Sequence, residues 1–135
     1  MADPLPICHL NGEWPALREA RISPLDRSFL FGDGVYEVVP VFEGRPFRFA
    51  EHFDRLSRSL AALRIRDPHS RDTWRTLVRE LMQRNGGGDM YVYVQVSRGA
   101  EYGRNHAPFP DVAPTVFAFC APLPKPSAAQ LAQGL

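Results

Sequence analysis

The spacing of apolar residues changes period along this chain, and each change predicts a different element. Val35 to Phe42 is dense in β-branched and aromatic residues and reads as a strand. Pro40 lacks the ladder donor, which points to an edge position or a bulge there. Glu43-Gly44 turns the chain into a short second strand, Arg45 to Phe49. From Ala50 the period becomes helical, with Phe53, Leu56, Leu60 and Leu63 on one face and a stop before Asp67-Pro68. A second helix starts near Ser70 or Asp72, gathers Trp74, Leu77, Val78, Leu81 and Met82 on one stripe, and ends at Asn85 and the glycines that follow. Tyr91 to Ser97 alternates strictly, valines on one face and Tyr91, Tyr93 and Gln95 on the other. A polar, proline-containing loop covers Arg98 to Pro114, and Thr115 to Cys120 makes a last strand. Near the start, Pro-Ile-Cys-His-Leu runs into Asn11-Gly12, a strand entering a hairpin turn. Strands, two helices, then strands predict an α+β fold, a two-layer sandwich with both helices on one face of a mainly antiparallel sheet.

Composition narrows the class. The 135 residues are 44% hydrophobic and 23% charged, ordinary values for a folded domain. A net charge of +1 gives no long-range pull on nucleic acid or anionic membrane, and no apolar stretch is long enough for a spanning helix. Cys8 and Cys120 show no metal-type spacing, so no metal site is expected and two reduced thiols in a cytoplasmic protein are. The tail after Cys120 carries Pro122, Pro124 and Pro126 and reads as an extended linker. The division expected is a domain over 1–120 and an interdomain linker over 121–135. Of sixteen basic residues only Lys125 is a lysine.

Three segments could carry chemistry. In Asp26-Arg27 through Val39, Gly32 and Gly34 flank Asp33, which favours a tight turn ahead of the strand. On backbone chemistry alone this is a turn followed by one core tyrosine, Tyr36. Alternation puts Tyr36 and Val38 on one face and Glu37 on the other. The second segment, Glu51-His-Phe-Asp-Arg-Leu56, has the make-up of an exposed, ion-paired helix face. The third, Arg98-Gly99 through Arg104-Asn105-His106, has that of a solvated loop.

Together these segments, in this order, resemble the signature regions of the fold-type-IV pyridoxal-phosphate enzymes. Val35-Tyr-Glu-Val38 is most similar to the D-amino-acid aminotransferases within that group. The resemblance runs from about Leu10 to Pro122. It implies that Tyr36 and Val38 line the substrate pocket, that Arg55 binds the cofactor phosphate, and that Arg104 and His106 bind the substrate carboxylate. His52 is assigned a structural part. It further implies a homodimer acting on a D-amino acid and a 2-oxo acid. The lysine that forms the Schiff base in that family has no counterpart in these motifs, because Lys125 sits among prolines. The expectation is a substrate-side domain whose catalytic C-terminal partner is absent, inactive alone. Two other readings stand beside it. One is another enzyme of the same fold, such as an aminodeoxychorismate lyase or a branched-chain or amine transaminase. The other is a non-catalytic interaction module.

Overall fold

The structure, a computed structural model, describes residues 3–134. Its centre is a five-stranded antiparallel sheet built from β1 (Cys8–Leu10), β2 (Gly34–Phe42), β3 (Arg45–Pro46), β4 (Met90–Ser97) and β5 (Thr115–Pro122). The spatial order is β1-β5-β4-β2-β3. The pairing of β2 with β4 runs unbroken from Gly34↔Ser97 to Val41↔Met90, so Pro40 makes no bulge. On its other side β2 meets β3 only at Val41 and Phe42. There Pro40 serves only as an acceptor, its carbonyl taking a 2.7 Å bond from the Phe47 amide. The edge-like placement expected for this proline is what the sheet provides.

Two fourteen-residue helices, α2 (Phe49–Ala62) and α3 (Arg71–Arg84), cover one face. The Ser70 side chain accepts from the Thr73 amide and so caps α3, while Asn85 closes it. Val39, Val41, Val92, Val94 and Val96 from the sheet meet Phe53, Leu56, Leu60, Trp74 and Leu81 in a dry core. Burying each such side chain contributes about 1.5–3 kcal/mol, which is what holds the two layers together. Asp67 ties the helices from behind, accepting from Ser57 Oγ at 2.9 Å and from Trp74 Nε1 at 3.0 Å.

Four local expectations need correction. Leu63 does not join the core. It is the C-cap of α2 and 39% exposed, and Ile65, after a left-handed Arg64, is buried instead. The strand expected over Arg45–Phe49 stops at Pro46, because α2 already begins at Phe49. A five-residue helix, α1 (Arg27–Phe31), occupies the segment read as a simple turn. The tail is not wholly extended either. β5 continues to Pro122, and α4 (Ala128–Gln133) forms behind a Ser127–Gln130 capping box.

At the opposite edge, Asn11 and Gly12 both take positive φ and close the expected hairpin turn, with Leu10 and Glu13 exchanging two 3.0 Å bonds. The Asn85 carboxamide reaches β1's neighbourhood, accepting from Ile7 N at 3.0 Å and donating to Ile7 O at 2.9 Å. Both cysteines are free and buried, and burial pushes the Cys120 thiol up to about 12.

Candidate active site

The route into the site begins at Asp26. Its carboxylate caps α1, accepting from the Ser28 amide at 2.9 Å, and also takes Ser28 Oγ at 2.8 Å and Thr115 Oγ1 at 2.7 Å. Burial alone would raise the carboxyl, but these bonds outweigh it and hold Asp26 below the usual range. Gly32, at φ 65°, ends α1 in the left-handed conformation that a residue with a Cβ enters only at a cost. Two residues on, β2 begins, and Tyr36 leaves the sheet on the face away from the helices.

That face is open and aromatic. Tyr36 stacks on Tyr93 with ring centroids 5.6 Å apart, and Tyr93 leans on Phe119 at 5.2 Å. Tyr36 is 64% exposed, which overturns the reading of it as a core residue. Val38 shares the face and is also exposed. A depression of about 410 Å³ is lined by Tyr36, Glu37, Val38, Arg55 and Ser59. The structure thus gathers three of the expected residues around one hollow. A second depression, of about 290 Å³, lies between Tyr36 and α1, with Ser28, Gly32 and Gln95 in its wall.

Arg55 reaches this hollow from α2 in a fixed pose. Its Nε and Nη2 make a fork to the two Glu37 oxygens, each at 2.6 Å, and His52 Nδ1 lies 2.9 Å from Glu37 Oε2. Burial acts to raise the Glu37 carboxyl, yet the bonds and charges of Arg55 and His52 hold it below the usual range. No protein acceptor among the described residues meets Arg55 Nη1. The guanidinium therefore offers an unused edge while its other edge is locked, an arrangement that fits a phosphate oxygen. Glu37 and His52 were not singled out for this by sequence. The available signal was the inward face of Glu37, since a carboxylate facing a core needs a cationic partner.

Arg104 and His106 are exposed and sit together on one ring. The Arg104 guanidinium lies 4.7 Å from the Phe31 centroid, and the His106 ring is 6.1 Å from the same phenyl. Their loop is held from below by Arg27, which is 4% exposed. Arg27 donates to Asp33 Oδ2 at 3.0 Å, Glu101 Oε1 at 2.6 Å, Asn105 O at 2.6 Å and His106 O at 3.0 Å. Asp33 is shared with Arg98, whose Nε and Nη2 approach it at 2.6 and 3.1 Å. Against the drive of burial, the bonds from Arg98 and Arg27 keep the Asp33 carboxyl low. Gly99 permits the loop's tight start, because a Cβ there would come within 1.9 Å of the Ala113 carbonyl oxygen.

Lys125 is not part of this arrangement. Its ammonium is exposed and 4.0 Å from Asp89 Oδ2, beyond the Met90 end of β4. Tyr36 lies level with Gln95, about 17 Å away along the strand. Among the described residues no cluster of His, Cys, Asp and Glu could hold a metal ion, and no helix is long and apolar enough to cross a membrane.

Comparisons with known proteins place the chain in a family and a fold. The family model described as amino-transferase class IV matches residues 34–133. A D-alanine aminotransferase of Staphylococcus haemolyticus is 35% identical over 118 residues, covering 87% of this chain and 42% of that relative. A D-alanine aminotransferase of Listeria innocua is 42% identical over 96 residues, covering 71% and 33% respectively. The chain thus spans under half the length of either relative. Among solved structures, the branched-chain amino acid aminotransferase of Escherichia coli superposes with a TM-score of 0.81 at 20% identity, over 88% of this chain and 41% of that one. A second branched-chain amino acid aminotransferase, complexed with N-(5'-phosphopyridoxyl)-L-glutamate, gives 0.80 at 23% identity, over 91% and 42%. These two likenesses establish the fold.

Proposed function

The chain belongs to the class IV aminotransferases, and from that premise we propose that the complete protein transfers an amino group from a D-amino acid to a 2-oxo acid, using pyridoxal phosphate. This chain supplies the substrate-side wall. The observation that carries the amino-acid reading, as against an amine, is Arg104, an exposed cation on a fixed loop beside His106, with no carboxylate partner among the described residues. Arg27 and Arg98 in the same region are already neutralised by Asp33 and Glu101. Arg104 is the cation left for a substrate carboxylate. The relatives' own activity, D-alanine transamination, supports the same substrate class.

When bound, pyridoxal phosphate draws electrons from the substrate's α-carbon so that its proton can leave and its amino group can be passed on. The protein's contribution is to bind and to orient. Arg55 holds the phosphate through its open edge, with Glu37 and His52 preventing the fork from rotating. The Tyr36 hydroxyl donates a hydrogen bond into the pocket without adding charge. Val38 gives that pocket an apolar wall. The lysine that anchors the cofactor is not Lys125 and is supplied by residues outside this chain. The protein acts as a cytoplasmic homodimer.

The test compares donors in the complete protein. Arg104→Ala lowers kcat/KM roughly 10- to 150-fold for a D-amino acid, the loss of one charge-assisted bond. For the decarboxylated amine the change is much smaller. Equal losses on both donors, or a wild type that prefers the amine, would replace this reading with an amine transaminase.

A further inference from the structure

We propose that Arg27 is a positioning residue for specificity: sealed beneath the 98–114 loop, it sets the placement of Arg104 and His106 without itself touching substrate. The inference rests on the reading of that pair as the carboxylate site.

The loop needs such a device. Between Ser97 and Thr115 the chain has no helix or strand, and an irregular segment of that length keeps considerable conformational freedom unless it is tied down. Arg27 ties it at three places. Its backbone amide donates to Gly99 O at 2.9 Å, where the loop leaves β4. Nη1 reaches the Glu101 carboxylate, and Glu101 Oε2 in turn accepts from the Phe109 amide at 3.0 Å. Nη1 and Nη2 then take the carbonyls of Asn105 and His106, the peptides on either side of the His106 α-carbon. The start of the loop is thus held by the Arg27 backbone, and its middle, from Glu101 to Phe109, converges on the guanidinium directly or through Glu101.

The same guanidinium fixes what the loop packs against. Arg27 Cζ lies 4.4 Å from the centroid of Phe31, the ring that carries Arg104 at 4.7 Å. Arg27 opens α1 and Phe31 closes it, so ring and clamp belong to one rigid turn of chain. Through Asp33 and Arg98 the cluster also reaches Leu63 O and Arg64 O, at 2.6 and 3.1 Å, at the end of the helix that holds Arg55. The carboxylate site and the phosphate site are therefore referenced to one frame. Two carboxylates against two guanidiniums leave the cluster without excess charge, so Arg27 itself does not attract substrate. A lysine could keep the charge but not bond in four directions within a plane.

The decisive variant is Arg27→Lys in the complete protein, beside Arg104→Ala. Two quantities are read: amide hydrogen exchange, and steady-state constants with a D-amino acid and its decarboxylated amine. Expected are exchange in 100–110 about tenfold faster with β4 unchanged, and a KM for the amino acid raised about tenfold. The same variant changes kcat less and leaves the amine's KM unaltered. Glu101→Gln, which keeps the shape but weakens the clamp, gives a smaller change of the same kind, so the test survives poor folding of the lysine variant. Loop exchange at the wild-type rate in both variants overturns the proposal. So does faster exchange with the amino acid's KM unchanged. If Arg104→Ala discriminates between the donors and the clamp variants do not, positioning fails while the carboxylate reading stands. If Arg104→Ala costs both donors alike, the carboxylate reading fails and this inference falls with it.

Discussion

Arg27 and Arg55 make the same first contact and then differ in everything else. Each donates from Nε to a carboxylate oxygen, Arg27 to Asp33 at 3.0 Å and Arg55 to Glu37 at 2.6 Å. Arg27 is 4% exposed and spends the rest of its donors on a second carboxylate and two loop carbonyls. The Arg55 side chain is 61% exposed and keeps one edge free over a hollow. A buried guanidinium must be satisfied by the protein, since water cannot reach it. An exposed one held by a single buried carboxylate is oriented at little cost and stays available for a ligand. On the proposed reading, the difference separates an arginine that shapes a site from one that serves it.

The most severe way to probe this contrast is Arg27→Ala. It strands Glu101 and two carbonyls beneath the loop, and removing one member of a buried pair costs about 3–5 kcal/mol. Urea unfolding of the variant reads that loss directly. A loss below about 1 kcal/mol would mean water reaches the cluster, erasing the distinction from Arg55.

Arg55→Lys has the smaller effect, and of another kind. The unfolding midpoint falls far less than for Arg27→Ala, because the side chain faces solvent and a lysine keeps a cation beside the buried Glu37. Pyridoxal phosphate binding to the complete protein weakens about tenfold, since an ammonium cannot hold Glu37 and a phosphate in fixed directions together. Cofactor titration checks it, and unchanged affinity would make Arg55 only a partner for Glu37.

Acid sharpens the comparison most gently. Glu37 and Asp33 are both held below their usual values, so each binds a proton less readily folded than unfolded. The stability they contribute is complete above the unfolded values of about 4 to 4.5 and drains as pH falls through the lower folded ones. Glu37→Gln flattens that acid slope by removing one contribution, while Asp33, gripped by two arginines, leaves the remainder. A slope identical to wild type would show that Glu37 does not titrate in linkage with folding.

The sheet and the two long helices were legible because their information is local and repeated. Val92, Val94 and Val96 state a strand, and Trp74, Leu77, Val78 and Leu81 state a helix face, whatever lies elsewhere. α1 was missed because five residues are too few to display a period. Its only signs are Asp26 before it and Gly32 after it, a cap at each end. α4 carried a readable capping box at Ser127 and Gln130, outweighed in the reading by the neighbouring prolines. In the site, Tyr36, Val38, Arg55, Arg104 and His106 were named by resemblance, and the placement of Tyr36 and Val38 on one face followed from alternation. Arg27 and Glu101 could not be read this way. A charged residue in a sequence looks solvated, and these two are buried because they meet across 74 positions of chain.

The arm that folds back beyond Asn11 and Gly12 has a consequence for how copies of this protein keep apart. A strand at the border of a sheet exposes amides and carbonyls to which another chain can add itself, the first step of uncontrolled fibre growth. Along β1 those groups are already taken by the chain that folds back beyond Gly12: Pro6 O by Leu17 N, Cys8 N by Pro15 O, and Leu10 by Glu13. The folded-back hairpin arm stands where a neighbour strand would add, while Asn85 fills the inner side at Ile7. The β1 strand therefore offers no unpaired outward groups to a second copy.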